Sequence, residues 1–329
     1  KYKKEFETSD LLIGGWIDNS KMWYVDSDYT LYIEGEGSLS EFSELYIGDP
    51  EDDKTLDLNQ YSIKKIVLGK NIGGEQSSSG FLDRFYDFEI LEVPDRADGV
   101  TIKIGEMAFE NHRAIRQVNL GKGVTGIGAD AFSRCNNLSS VKIRGNIEEI
   151  GYRAFYDCNN LAEITLPDSV VSIGEEAFYS CGSLAEIVIP DSVTNIEDSA
   201  FRSCSKLKNV TLSKNISNIG EYAFSYCGSL ENITISGSGT SIGELAFCDC
   251  SGLKNITLSN GITSIGSKAF DDCKNLESIT IPDSVTEYGD GVFDGCTSLK
   301  KAILSKNAET ITMNMFYNCK NLEEVVIPE

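Results

Sequence analysis

Apolar and polar positions along most of this chain recur with a period of 23 residues. Phe109, Phe132, Phe155, Phe178, Phe201, Phe224, Phe247, Phe270, Phe293 and Phe316 keep that interval without an insertion. Other slots keep the same beat. From Cys135 to Cys319 a cysteine stands three residues after each Phe, and a Leu follows three residues later. Then comes an aliphatic pair two apart, such as Ile187 and Ile189, alternating with polar residues, which is the spacing of a strand with one buried face. Pro167, Pro190, Pro282 and Pro328 follow the strand and end it, because proline cannot donate to a ladder. A second aliphatic pair (Val170 and Ile173, Val193 and Ile196) leads into the segment that carries Ala and Phe. Ala177, Phe178 and Cys181 fall within about one helical turn, so the pattern predicts a short helix that turns all three inward. Self-similarity at this period signals a stacked solenoid in which each coil buries its apolar face on its neighbours.

Residues 1–56 do not keep the beat. Met22 to Val25 and Thr30 to Ile33 alternate aromatic and aliphatic residues around the turn chemistry of Asp26-Ser27-Asp28, so a hairpin is expected there, ended by Gly35 to Gly37. It would serve as a β-rich cap over the open apolar end of the first coil. Trp16 and Trp23 are expected in that cap's core. Residues 57–100 read as degenerate repeats. Ile63, Ile66, Leu68 and Ile72 fit one unit. Leu82, Phe85, Phe88, Leu91, Val93 and Pro94 fit another, with Leu82 in the Phe slot and Phe85 in the Cys slot. The interval from Leu82 to Phe109 is 27 residues, which places a four-residue insertion within Asp95 to Thr101. Gly73 to Gly80 reads as a mobile loop. Residues 101–329 are the regular repeats. Gly239 and Tyr288 replace aliphatic residues and Met315 replaces Ala. The last strand carries Val325 and Val326 at an edge that is either followed by more protein or protected by self-association.

The pattern L-x-x-I-x-I-P-x-x-V-x-x-I-G-x-x-A-F-x-x-C over residues 101–329 resembles the BspA-like leucine-rich repeat family of bacterial surface proteins. The run W-Y-V-D-S-D-Y-T-L-Y-I-E-G-E-G-S-L resembles the hairpin segment often found ahead of such repeats. The resemblance implies an α/β fold, a right-handed leucine-rich-repeat solenoid with a parallel β-sheet on one face and short helices. It also implies a surface location and adhesive roles.

Composition narrows the partners. The formal net charge is -22, with 22 acids against 10 bases in the first 100 residues and 29 against 19 in the rest. Such a charge argues against nucleic acid or an anionic membrane face as partner, because a protein must supply cations to neutralise phosphates. No apolar window reaches the roughly 18 residues of a membrane span, and the run from Leu11 to Ile17 is too short and too rich in Gly for a signal peptide. The chain begins with Lys, as a mature or trimmed one would, so secretion is compatible with it. Nine of the ten cysteines share one slot. Adjacent rungs about 4.8 Å apart would permit disulfides by distance, but equivalent side chains in a stack point the same way, so buried free thiols are expected. Cys248 lies outside the slot and is expected to be the exposed thiol.

Catalytic chemistry finds little to work with. The single histidine, His112, occupies the Cys slot of the first regular coil and is expected to be a partly buried boundary residue. No Ser-His-Asp set, phosphate loop or His-Cys metal spacing is present, and no cofactor is implied. Asp49 to Asp53 reads as a solvated acidic loop rather than a calcium site. Glu175 and Glu176 would open a short helix, where the dipole favours negative charge.

Two surfaces are candidates for binding. Thr165, Thr211, Thr234, Thr257 and Thr280, with Asn209, Asn232 and Asn255 two residues earlier, would form ladders on the sheet face. β-Propensity and cross-strand pairing explain them alone, and a flat surface for a protein or glycan explains them equally well. On the helix side Tyr152, Tyr156, Tyr179, Tyr222 and Tyr226 fall at outward slots of neighbouring coils, and tyrosine is enriched at interfaces. The expectation is a non-catalytic cell-surface or secreted recognition and adhesion protein that binds host or microbial proteins or glycans. The alternative is a structural spacer or assembly module without a specific ligand.

Overall fold

A computed structural model describes residues 11–16, 21–36, 46–47, 62–76, 87–308 and 310–329. Three antiparallel strands open it: β1 (Leu11–Trp16), β2 (Lys21–Asp26) and β3 (Thr30–Gly35). The expected hairpin is β2–β3, turned by Asp26, whose carboxylate accepts the backbone N–H groups of Asp28 and Thr30 at 3.0 and 2.9 Å. Trp23 is fully buried. β3 then pairs in parallel with β4 (Lys65–Leu68), so the hairpin continues straight into the solenoid. The side chains of Trp16, Ser77 to Gly80, Leu82 and Phe85, and the Asp49 to Asp53 segment, lie outside the described residues.

From the strand Gln117–Leu120 onward the strands in the row of β4 advance by 23 residues per coil. Ile187 lies opposite Val210, and Ile196 opposite Ile219. Each pairing keeps one face of the strand inward, because a slip by one residue would turn every aliphatic side chain to water. The first aliphatic pair of the repeat forms a row of parallel strands that falls into three sheets, the first continuous with the antiparallel N-terminal strands, with breaks after Glu163–Thr165 and after Asn255–Leu258. The second aliphatic pair forms a further parallel sheet of ten strands, from Gly74–Gln76 to Glu287–Tyr288. The coil therefore has two strand rows where the sequence pattern suggested one sheet face. Gly74–Gln76, expected in a mobile loop, pairs with Ile102–Ile104.

The short helices are absent among the described residues; the segment around each Phe is a chain of turns. Around Phe178, Glu176 and Ser180 have φ of 54° and 57°, and equivalent left-handed residues bracket every Phe from Phe109 to Phe316. A helix needs consecutive right-handed residues, so alternation excludes it. The hydrogen bonds show what replaces it. Ala177, Tyr179 and Cys181 donate within the coil to Gly174, Glu176 and Phe178, each at 3.1 Å. Glu176, Phe178 and Ser180 donate instead to Asp198, Ala200 and Arg202 of the next coil, at 2.9, 2.7 and 2.8 Å. Half of the N–H groups are thus committed to stacking, which satisfies buried backbone that a lone short helix would leave unpaired.

Inside, the ten phenylalanines form one column with ring centroids between 5.1 and 5.7 Å apart and planes within 11°. Phe88 closes its N-terminal end edge-on to Phe109 at 6.1 Å. His112 is buried with 6% exposure, its ring 4.4 Å from that of Phe88. All ten cysteines are free thiols. The nine in the repeat slot each donate to the carbonyl of the Phe one coil earlier, at 3.0 to 3.4 Å, as Cys204 does to Phe178. Thiols that all aim at the preceding coil do not face one another. Cys248, expected to be exposed, is buried at 5% beside Asp249 and Asp271, because its slot lies between tightly stacked turns. Burial, then the Asp271 and Asp249 charges, push its thiol up to about 12. Cys319, in the last coil, is the half-buried thiol.

The four-residue insertion expected within Asp95 to Thr101 is where Arg96 enters. Its guanidinium donates to the carbonyls of Pro94, Leu68, Gly69 and Ile72 at 2.7 to 3.0 Å, tying one irregular coil to the one before. Arg96→Ala would leave these carbonyls short of a charged donor, at an expected cost on the order of 3 kcal/mol. Urea unfolding measures it, and an unchanged midpoint would show that the clamp is dispensable.

Candidate interaction surface

Outward positions of a stacked repeat form columns, so each surface is the list of residues at one slot read along the chain. On the first strand row all eight predicted residues, Thr165, Thr211, Thr234, Thr257, Thr280, Asn209, Asn232 and Asn255, are exposed. Asn209, Asn232 and Asn255 lie opposite one another, and the Asn255 amide donates to the Asn232 amide oxygen at 2.7 Å. The threonines do not make one unbroken ladder. Thr165 and Thr280 belong to sheets other than that of Thr211, Thr234 and Thr257, and Val188, 65% exposed, stands between Thr165 and Thr211. Beside these columns Lys208, Glu231 and Lys254 alternate in sign, with separations of 3.2 and 3.6 Å. Hydrogen bonding and charge from Lys208, reinforced by Lys254, hold the Glu231 carboxyl below its usual range. A cleft of about 410 Å³ lies on this face, lined by Glu92, Asn119, Lys142, Ile143, Arg144 and Thr165.

The turn face is more specific. The five predicted tyrosines come together with two arginines that the sequence reading did not single out. Tyr156 and Tyr179 stack at 5.0 Å. The Arg153 guanidinium lies over Tyr152 and Tyr156 at 4.8 and 5.0 Å and is paired with Glu176. The Arg202 guanidinium lies over Tyr222, Tyr226 and Tyr179 at 4.5, 5.5 and 6.0 Å. Tyr156, Tyr179 and Arg202 all stand one residue after the repeat Phe, and Arg153 and Tyr222 stand two before it. The slot was therefore a legible signal, once the turn conformation showed that these positions adjoin. Tyr152 also closes a groove of about 760 Å³ with Lys103, Gly126, Asn146, Glu148 and Glu149 among its walls. Side chains that lock one another by ring contacts lose little further freedom on binding, which favours recognition.

No helix among the described residues is long and apolar enough to cross a membrane. Nor do three or more His, Cys, Asp or Glu side chains gather there in a way that could hold a metal ion.

The model of the BspA type leucine rich repeat region matches residues 102–231 and 217–329, in six copies. No curated protein matches the sequence. Among solved structures, the chain is similar to a leucine rich cell surface protein from Faecalibacterium prausnitzii, with 22% identity over 97% of this chain and 96% of that one and a TM-score of 0.41. A leucine-rich repeat protein from Bacteroides ovatus shares 23% identity over 98% and 94% of the two chains, with a TM-score of 0.42. One from Eubacterium ventriosum shares 20% over 86% and 94%, with a TM-score of 0.49.

Proposed function

Because the chain belongs to the BspA type leucine-rich repeat family, we propose that it is a non-catalytic recognition module, secreted or held at a bacterial surface, whose repeat surface binds a protein or glycan partner. The observation that carries this reading is the turn-face strip, in which five tyrosines from three coils are drawn together and held by Arg153 and Arg202. Tyrosine and arginine dominate the energetics of protein interfaces, and here they sit on a scaffold that need not order itself on binding. The threonine and asparagine columns offer a second face of uncharged donors and acceptors. Repeat arrays use extended faces of this kind for partners too large for a pocket.

The test is direct binding of the purified chain to immobilised extracellular matrix proteins and to a glycan array. Variants are Tyr156→Ala with Tyr222→Ala on the turn face, and Asn232→Lys with Thr234→Lys on the sheet face. Binding that one pair abolishes and the other spares would support recognition and identify the face. Binding by none of the partners would leave the spacer reading in its place.

A further inference from the structure

Arg202 differs from every other described arginine. Arg96 is held by carbonyls and Arg113 by the Asn111 amide, while Arg116, Arg134, Arg144 and Arg153 pair with Glu89, Glu110, Asp95 and Glu176. The Arg202 guanidinium is surrounded by Tyr179, Tyr222 and Tyr226, yet among the described residues it makes no ion pair or hydrogen bond, and its Nε is buried without a partner. Ring contacts stabilise the charge but provide no oxygen for the five N–H donors of a guanidinium. One coil further, in the same column, Ser225 is fully buried and its Oγ also lacks a partner. Two unanswered polar groups thus occupy the same slot on successive coils.

We infer that Arg202 in its cage of tyrosines receives the carboxylate of an Asp or Glu side chain on a protein partner. The inference rests on the recognition reading above and names the chemistry of the partner. A planar guanidinium with open donors binds a carboxylate through two parallel hydrogen bonds, the strongest neutralisation open to it. The rings favour a protein over a sugar. Tyr156 and Tyr179 cover each other's faces, so the pair turns edges and hydroxyls outward, and ring edges carry the positive end of the quadrupole. A sugar ring would need an uncovered face to lie on. The surroundings then restrict the segment further. In the column of Tyr152 the following coils present Glu175, Asp198, Glu221 and Glu244, all of them exposed. This acidic row repels a run of acids and attracts bases. The partner segment therefore carries one acidic residue for Arg202, with Lys or Arg beside it for the row.

The experiment pans a displayed random-peptide library on the folded full chain, then measures synthetic versions of the selected peptides. Selected sequences should pair an Asp or Glu with basic residues. Arg202→Gln, and separately the acid-to-amide change in the peptide, should each weaken binding by roughly 10- to 100-fold. The two changes together should weaken it no further than either alone, since they remove the same contact. Arg202→Lys, which keeps the charge but not the fork, should fall between. The peptide-side change keeps the test valid should Arg202→Gln alter folding, which a melting curve would reveal. Recovery of no peptide, of peptides without an acid, or of peptides indifferent to Arg202→Gln would overturn the assignment. So would an acidic oligosaccharide whose binding depends on Arg202 when no peptide's does. If matrix or glycan binding persists through the sheet face while Arg202→Gln is silent, only this inference falls; if nothing binds anywhere, the recognition reading falls with it.

Discussion

Raising the pH from about 9 to 10 is expected to remove about 7 kcal/mol from the stability of the folded chain, a large share of what a folded domain has. The cause is the thiol column. Cys135, Cys158, Cys181, Cys204, Cys227, Cys250 and Cys273 are fully buried, and burial raises each thiol above its ordinary value near 9, up to about 12 for Cys135 and Cys204. In the unfolded chain the same thiols ionise in water near pH 9. The native state therefore keeps protons that the unfolded state releases, so stability is intact below about pH 9 and is lost as the pH climbs toward the folded values. Each thiol contributes on the order of 1 kcal/mol at pH 10, and seven in series make the loss steep. Urea unfolding between pH 8 and 10, with thiolate absorbance followed in parallel, measures it. Thiolate should appear only with unfolding, and Cys204→Ala with Cys227→Ala should flatten the dependence by two protons. Flat stability across the range, or thiolates formed in the folded protein, would contradict the packing described.

Phe224→Ala should cost about 3–5 kcal/mol, the range for emptying a core site of phenylalanine size. Phe224 is fully buried, with Phe201 and Phe247 stacked at 5.1 and 5.3 Å on its two sides, so the substitution removes two ring contacts as well as the buried surface. The hole cannot close readily, because the coils on either side are set by backbone hydrogen bonds from Phe224 to Ala246 and from Phe201 to Ala223, at 2.7 and 2.8 Å. Loss should therefore spread to neighbouring coils, as it does where each repeat rests on the next. Phe316→Ala is the contrast. That ring is half-buried and has one stacked neighbour, Phe293 at 5.7 Å, so about half the cost is expected. Melting of the two variants decides it. Equal losses, or an unchanged curve for Phe224→Ala, would mean that the column does not hold the solenoid together.

Taken by itself, the amino-acid sequence determined the period, the inward columns and their register, since a 23-residue repeat of Phe, Cys and aliphatic slots buries its apolar side in only one phase. Ile187 opposite Val210 and the stacked rings from Phe109 to Phe316 were legible for that reason. The exposure of the threonine and asparagine columns followed from strand alternation alone. Only the tertiary structure decided the conformation around each Phe. Ala177, Phe178 and Cys181 have a helical spacing, but hydrogen bonds from Glu176, Phe178 and Ser180 to the next coil outweigh a one-turn helix, whose own bonds are few. That same choice moved Cys248 inside and placed Arg202 among Tyr179, Tyr222 and Tyr226. Those contacts join residues from different coils at different slots. A repeat pattern orders like with like, whereas the path of the turn sets which unlike columns touch.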